Sequence, residues 1–247
     1  MKIATWNVNG IRARETQLCE WVERDQPDVV CLQEIKARPD QVPERCRLAN
    51  YHAYWHGEGG YSGVSLHVRK TLFDTEPSFT HPAFDMETRI VEATFGNLTI
   101  ASVYVPNGGK DYAAKIAFFG ALCDWAGTLR AQGRDLVVCG DLNIARADID
   151  VHPKERKAGI IGQRPEERAL FERMLATGMV DVGRALAPDD DRMFSWWPPW
   201  RNMRQRNIGW RIDYILAATA VADRATSCGV LADVGTSDHA PVMLTLA

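Results

Sequence analysis

Six apolar runs in the chain each end in a compact polar cluster: Thr5-Trp6-Asn7-Val8-Asn9-Gly10, Leu32-Gln33-Glu34, Tyr104-Val105-Pro106-Asn107, Gly140-Asp141-Leu142-Asn143, Arg211-Ile212-Asp213-Tyr214 and Ser237-Asp238-His239. One acid beside an apolar run is ordinary. Runs that all deliver carboxylates, amides, a phenol or an imidazole point to one convergent site. Hard oxygen donors suit a dication such as magnesium, which keeps several waters and needs only one or two carboxylates. The chemistry these residues fit is therefore that of a phosphate ester beside a divalent metal.

Asp141 and Asn143 follow the apolar run Asp135 to Cys139, and Gly140 is read as letting the backbone turn so that both point one way. A β-turn beginning with Asp is the structural alternative. Glu34 is a candidate hard ligand, and a helix-capping or salt-bridged Glu before Lys36 is its alternative. Asn7 and Asn9 alternate with Trp6 and Val8, which predicts two amides on one side of the first strand. Asp213 lies among Ile212, Tyr214, Ile215 and Leu216, where an unpaired carboxylate is costly. His239, before the final strand Val242 to Leu246, is a candidate partner: a carboxylate holding one imidazole nitrogen leaves the other free to act. A Ser-His-Asp hydrolase finds no support, because the chain has no G-x-S-x-G elbow.

The elements that must position these residues are legible in outline. Val29 to Leu32, Gly63 to Val68, Arg89 to Phe95 and Leu98 to Tyr104 read as strands, the last two joined by a Gly96-Asn97 turn. Helices are expected over about Glu15 to Arg24, Asp111 to Gln132 and Pro165 to Thr177, the second carrying an Ile116, Phe119, Leu122, Cys123 stripe for packing on a sheet. Hairpins mixed with helical crossovers predict an α/β sandwich with at least one antiparallel sheet. At 247 residues and 46% hydrophobic content the chain can bury one large core, so residues 1–247 are taken as a single domain.

No apolar stretch approaches the roughly 20 residues of a membrane span, and Met1 to Trp6 enters a strand pattern without signal-peptide features. A cytoplasmic monomer is the default. Cys31, Cys123 and Cys139 lie in apolar runs and no C-x-x-C pair occurs, which argues against disulfides and zinc. The net charge of −3 does not advertise a nucleic-acid binder, yet basic residues gather at Lys154, Arg156 and Lys157 and at Arg201, Arg204, Arg206 and Arg211. The segment Phe194 to Trp210 holds Trp196, Trp197, Trp200 and Trp210 among these arginines, and its Pro198-Pro199 pair predicts a loop.

The ordered set T-W-N-V-N-G-I-R-A, L-Q-E-I-K, Y-V-P-N-G, G-D-L-N-I, R-P-E-E-R, N-I-G-W-R-I-D-Y and S-D-H-A-P-V spans Met1 to Val242 and resembles the exonuclease III family of abasic-site endonucleases, in the wider endonuclease/exonuclease/phosphatase superfamily. The resemblance implies a four-layer α-β-β-α sandwich of two mixed, mainly antiparallel sheets, with the site at one end between them. It implies a metal neighbourhood of Asn7, Glu34 and Asp238 with Asp141, Asn143 and His239 close by. Tyr104, Asp141 and Asn143 would contact the scissile phosphate and the incoming water, and Asp213 would orient His239. Asp141 and the Asp213–His239 pair are both open as water activator, with Asp141 preferred. Trp196, Trp210 and Ile212 would wall a pocket for a flipped sugar lacking its base. Asn107, Lys110, Trp200, Arg201 and Asn202 would contact DNA.

The activity so implied is magnesium-dependent cleavage of duplex DNA 5′ to an abasic site, manganese being a substitute, leaving a 3′-hydroxyl and also trimming blocked 3′ ends. In a bacterium such an enzyme would be cytoplasmic and nucleoid-associated. The alternatives are an exodeoxyribonuclease with little abasic-site activity and a small-molecule or lipid phosphoesterase of the same superfamily. Three departures bear on substrate preference: Asn9 stands where some members carry Asp, Trp197-Pro198-Pro199-Trp200 is bulky, and Gly162-Gln163-Arg164-Pro165 replaces an apolar pair before the proline.

Overall fold

The computed structural model describes residues 1–247, and in it the apolar runs become strands. In chain order these are β1 (Lys2–Asn7), β2 (Val29–Gln33), β3 (Tyr51–His56), β4 (Val64–Arg69), β5 (Ser78–Thr80), β6 (Ile90–Phe95), β7 (Leu98–Tyr104), β8 (Asp135–Asp141), β9 (Met179–Asp181), β10 (Asp213–Ala218), β11 (Ala225–Val230) and β12 (Val242–Leu246). The helices are α1 (Glu15–Asp25), α2 (Tyr112–Ala131), α3 (Pro165–Leu175), α4 (Val182–Leu186) and α5 (Thr219–Ala222). Two six-stranded sheets result, ordered β11-β12-β1-β2-β4-β3 and β5-β6-β7-β8-β10-β9.

Each sheet contains one parallel pair, β1 with β2 and β7 with β8, and is otherwise antiparallel. A parallel pair requires a crossover, supplied by α1 in the first sheet and α2 in the second. This topology explains why the polar clusters converge. The carboxyl ends of β1, β2, β7 and β8 carry Asn7, Glu34, Tyr104 and Asp141, while the antiparallel neighbours β10 and β12 begin at that same end, bringing Asp213 and the Ser237-Asp238-His239 turn.

The layers are held by three apolar clusters. Val29, Cys31, Leu66, Ile100, Val137, Cys139, Ile215 and Leu244 pack between the sheets. Leu18, Trp21 and Val22 of α1 cover the outer face of the first sheet against Ala4, Trp6 and Leu32. Phe118, Phe119 and Leu122 of α2, with Phe171 and Met174 of α3, cover the second sheet against Leu136, Val138 and Tyr214. Central strands buried on both faces read as continuous apolar runs without alternation, and each fully buried Leu or Phe contributes about 1.5–3 kcal/mol. The expected four-layer α-β-β-α sandwich of two mixed, mainly antiparallel sheets is the observed architecture.

Local signals act where the sequence placed them. Asp111 caps α2 by accepting from the Ala114 N–H at 3.0 Å, Pro165 opens α3, and Gly96-Asn97 turns the β6–β7 hairpin. Two readings are corrected. The inner stripe of α2 runs through Lys115, Phe118, Phe119, Leu122 and Cys123, with Ile116 only half-buried beside it. Gly140 does not turn the chain but lies inside β8, where a Cβ would stand 1.8 Å from the Val103 carbonyl oxygen of β7. All six cysteines are free thiols, and no helix is long and apolar enough to cross a membrane.

Candidate active site

Asn7 bridges the two sheets: its Nδ2 donates to Glu34 Oε1 and to Asp141 Oδ2, both at 2.9 Å. Glu34 follows β2 in the left-handed region, φ 49°, and its other oxygen pairs with Lys36 Nζ at 2.7 Å. Asn7 Oδ1 accepts from the Asn9 N–H at 3.0 Å, and Asp141 Oδ1 from the Asn143 N–H at 2.8 Å. These are Asx turns, and each places an asparagine at positive φ, 44° and 53°, which that residue tolerates. Asn9 is therefore delivered by a turn, not by strand alternation, because β1 ends at Asn7.

On the other side of Asp141, His239 Nε2 lies 3.8 Å from Oδ2, and His239 Nδ1 lies 2.9 Å from Asp213 Oδ2. Ser195 completes that arrangement. Its hydroxyl donates to Asp213 Oδ2 at 2.6 Å and accepts from the Ile212 and Asp213 N–H groups. Nothing local in the sequence marks Ser195; it lies inside the tryptophan segment, 18 residues from its partner.

Asp141, Asp213 and His239 are all buried. Burial raises the Asp141 pKa to about 7, with Asp213 and Glu34 adding to the rise and His239 and the Asn7 hydrogen bond opposing it. Burial alone would depress His239, but the Asp213 carboxylate, with Asp141 and Asp238, carries it up to about 10. At neutral pH His239 is thus an imidazolium that donates from Nδ1 to Asp213 and presents Nε2–H to the cavity. Burial works against ionised Glu34, yet Asn7 and Lys36 hold it below the usual range; His239, Asn9 and Trp196 do the same for Asp238. Tyr104 is pushed well above an ordinary phenol by burial, Glu34 and Asp141, so it remains a neutral donor. The Arg89 guanidinium lies 4.7 Å over its ring.

These groups open into a cavity of 270 Å³ walled by Trp196, Trp210, Ile212 and Ile161, with Glu34, Tyr104, Asn107, Asp141, Asn143, Asp238 and His239 among its lining. The two indoles meet edge to face, 5.6 Å apart, and Trp196 Nε1 donates to Asp238 Oδ2 at 3.0 Å while Asn9 Nδ2 donates to Oδ1 at 2.9 Å. Gly162 packs behind this wall at φ 91°, where a Cβ would lie 2.9 Å from the Trp210 ring and 3.2 Å from the Asn143 carbonyl oxygen. Sequence reasoning treated Gly162 only as part of a departure.

A 460 Å³ hollow flanks this cavity, shares Asp238 with it and contains Trp200, Arg201 and Asn202. A 330 Å³ hollow flanks the other side, shares Tyr104 and Asn107 and contains Lys110. Both hollows thus share lining residues with the central cavity. Asn7 and Asp213 stand behind the cavity wall, and Trp200, Arg201, Asn202 and Lys110 stand on its flanks.

Part of the basic rim is not surface at all. Arg211 is buried between Asp150 and Asp181, with both guanidinium edges paired at 2.7–2.8 Å. Arg204 lies 4.8 Å over the buried Trp197 ring and donates to the carbonyls of Ala232, Val234 and Ser237. A second buried pair, Lys115 with Glu167 at 2.5 Å, also escaped sequence reading. Lys115 Nζ donates to the Asn143 and Asn107 carbonyls, and Glu167 accepts from the Gly162 and Arg164 N–H groups, so one ion pair pins three site loops. Its signals were a lysine on the inner stripe of α2 and the acid two residues after Pro165.

The donor set fits a dication. Ligand atoms of Glu34, Asp141 and His239 lie within 4.8 Å of one another, and repulsion among neighbouring carboxylates contributes to the raised Asp141 pKa. A cation on carboxylate oxygens relieves that repulsion. Glu34 and Asp141 supply the carboxylate oxygens of the cluster, and His239 Nε2 stands beside them.

A two-sheet sandwich with carboxylates, amides and an imidazole converging at one end matches the Endonuclease/Exonuclease/phosphatase family over residues 4–239. The chain belongs to that family. It is 33% identical over 255 residues to the exodeoxyribonuclease of Bacillus subtilis (strain 168), spanning 100% of this chain and 99% of that protein. It is 33% identical over 261 residues to the DNA repair nuclease APEX1 of Danio rerio, spanning 100% of this chain and 82% of the relative. Among solved structures, the AP endonuclease from Archaeoglobus fulgidus aligns with a TM-score of 0.89 at 27% identity, covering 100% of this chain and 99% of that one.

Proposed function

We infer that the protein is a magnesium-dependent DNA repair nuclease that hydrolyses the phosphodiester 5′ to an abasic site in duplex DNA and trims blocked 3′ ends. The observation that carries this reading is that one 270 Å³ cavity holds both the carboxylate–imidazole cluster and the Trp196–Trp210–Ile212 wall. A phosphoesterase for small molecules has no use for the flanking hollows, whereas a DNA backbone fills them. An abasic nucleotide is cheap to extrude, and a tight apolar wall excludes a base-bearing one. Gly162 lets Trp210 keep its place in that wall, since a side chain there would collide with the Trp210 ring.

Glu34 and Asp141 would hold the cation, with Asn7 fixing both carboxylates; when bound, it neutralises phosphate charge and stabilises the leaving oxygen. In the proposed step the Asp141 carboxylate removes a proton from the attacking water. Asn143, held by its Asx turn, positions that water. The water oxygen bonds to phosphorus as the bond to the 3′-oxygen breaks, the departing oxygen takes a proton from solvent water to become the 3′-hydroxyl, and Asp141 returns its proton to solvent. His239, kept cationic by Asp213, and the neutral Tyr104 phenol donate to the phosphate oxygens as charge builds. The test is a labelled duplex with a stable abasic analogue, run with magnesium and with chelator beside an undamaged duplex and a 3′-phosphate end. Magnesium-dependent incision at the analogue is expected; no cleavage of any of the three sinks the reading.

A further inference from the structure

A second cluster of metal-binding side chains lies away from the catalytic cavity, at the edge where β3 and β5 end the two sheets. Tyr54 and His56 of β3 face Phe79 of β5 and His81 just beyond it. Tyr54 stacks on Phe79 at 6.0 Å, and His56 stacks on His81 at 4.5 Å with the rings 16° apart. Asp85 reaches into the same place: its Oδ2 is 2.6 Å from His56 Nε2 and 3.9 Å from His81 Nδ1. One donor atom from each of the three lies within 4.8 Å of the others.

A simple ion pair explains only part of this. It accounts for His56 and Asp85, but His81 is beyond hydrogen-bond reach of the carboxylate. Asp85 is held for another task as well. Its Oδ1 accepts from the Arg89 and Ile90 N–H groups at 2.8 and 3.2 Å, which fixes the carboxylate and leaves Oδ2 turned towards the two rings. That is the carboxylate anchoring expected around a metal ligand.

We propose that His56, His81 and Asp85 form a cation site, separate from the catalytic cluster, that takes a late first-row dication such as Zn²⁺ and clips the edge strands of the two sheets together. Two imidazoles and one carboxylate select such an ion over magnesium, which prefers an all-oxygen shell. Donor atoms on metal bonds of about 2.0–2.2 Å stand farther apart than the 2.6 Å of the His56–Asp85 hydrogen bond and closer than the 3.9 Å between His81 and Asp85, so on binding that hydrogen bond opens and His81 moves in. His81 has 43% of its side chain exposed and is free to make that small approach. Water completes the coordination. Bound in this way, the ion also steadies the turn through Asp85 to Arg89, whose guanidinium covers Tyr104.

The test uses metal-stripped full-length protein carrying Glu34→Gln, in excess magnesium, titrated with zinc chloride by calorimetry. The parent is expected to bind an equivalent of zinc that His56→Ala and His81→Ala each weaken by at least about tenfold. His81 makes no hydrogen bond in the fold, so its replacement leaves folding intact, and His81→Gln serves as a second variant. Zinc should also raise the melting temperature of the parent and not that of either His81 variant. Equal zinc affinity in parent and His81 variants, or no zinc binding by the parent, overturns the proposal.

Discussion

The catalytic mouth and the tryptophan segment meet at one cavity but are built on different principles. The mouth is a product of sheet register: Asn7 and Asp141 lie 134 residues apart in sequence yet meet because β1 and β8 end at the same level. Asn7, Tyr104, Asp141 and Asp213 lie on strands whose residues are almost all buried, and Asn9, Glu34, Asn143 and the Asp238–His239 pair follow or precede strand ends. The segment Phe194 to Trp210 instead has a small core of its own, in which Phe194, Trp197, Met203 and Ile208 pack with Ala240. Ser195, bonded to Asp213 at 2.6 Å, Trp196, at 3.0 Å from Asp238, and Trp210 reach from it into the mouth. Chemistry is thereby locked to the sheets, while the surface that chooses the substrate sits on a loop unit with its own small core, joined to the mouth at Ser195, Trp196 and Trp210.

The largest effects should come from the mouth. Asp141→Asn is expected to lower turnover about 100- to 10,000-fold while retaining affinity for an abasic duplex in a gel-shift titration. Near-normal rates would remove Asp141 from the chemistry and erase the contrast with the loop. Next, Lys115→Met leaves Glu167 charged and buried, and chemical denaturation should show a loss of about 3–5 kcal/mol, accompanied by lower activity as the Asn107 and Asn143 carbonyls lose their donor. A variant of native stability would mean that the site loops are held independently of this pair.

The pH–rate profile separates the regions further. Asp141 accepts a proton only as the carboxylate, so rate rises as pH climbs through its pKa, about 7 in the bare site and lower with a cation bound. His239 stabilises charge only as the imidazolium, so rate falls as pH climbs through about 10. Asp213→Asn removes the charge that raises His239, and burial then dominates. Its alkaline limb should move towards neutrality, while Trp200→Ala should leave both limbs in place. An unmoved limb in Asp213→Asn would show that another group sets it. The smallest effect belongs to the loop tip. Trp200 is 57% exposed, so Trp200→Ala should weaken DNA binding by about 1 kcal/mol and change stability by less than about 0.5 kcal/mol.

The same contrast separates what could be read in the sequence from what could not. Asn7, Glu34, Tyr104, Asp141, Asp213 and His239 each follow or begin an apolar run, so composition alone places them at strand ends, and ordered motifs relate the runs to one another. Partnerships set by long-range packing left no such mark. Arg201 and Arg211 are alike in sequence, but Asp150 and Asp181, at separations of 61 and 30 residues, take Arg211 into the interior. Ser195 resembles any loop serine until the fold lays it beside Asp213. Gly140 looked like a turn residue because a glycine needed for close approach of β7 and one needed for a turn are indistinguishable in one dimension.

The division of labour is tested most directly by measuring abasic-site incision and 3′-phosphate removal side by side in Trp210→Ala and the parent protein. Trp210 walls the cavity, and its indole nitrogen makes no hydrogen bond to a group assigned to the chemistry. Incision is expected to fall at least about tenfold more than 3′-phosphate removal, equivalent to about 1.4 kcal/mol of selectivity. Equal losses in the two reactions would contradict the account.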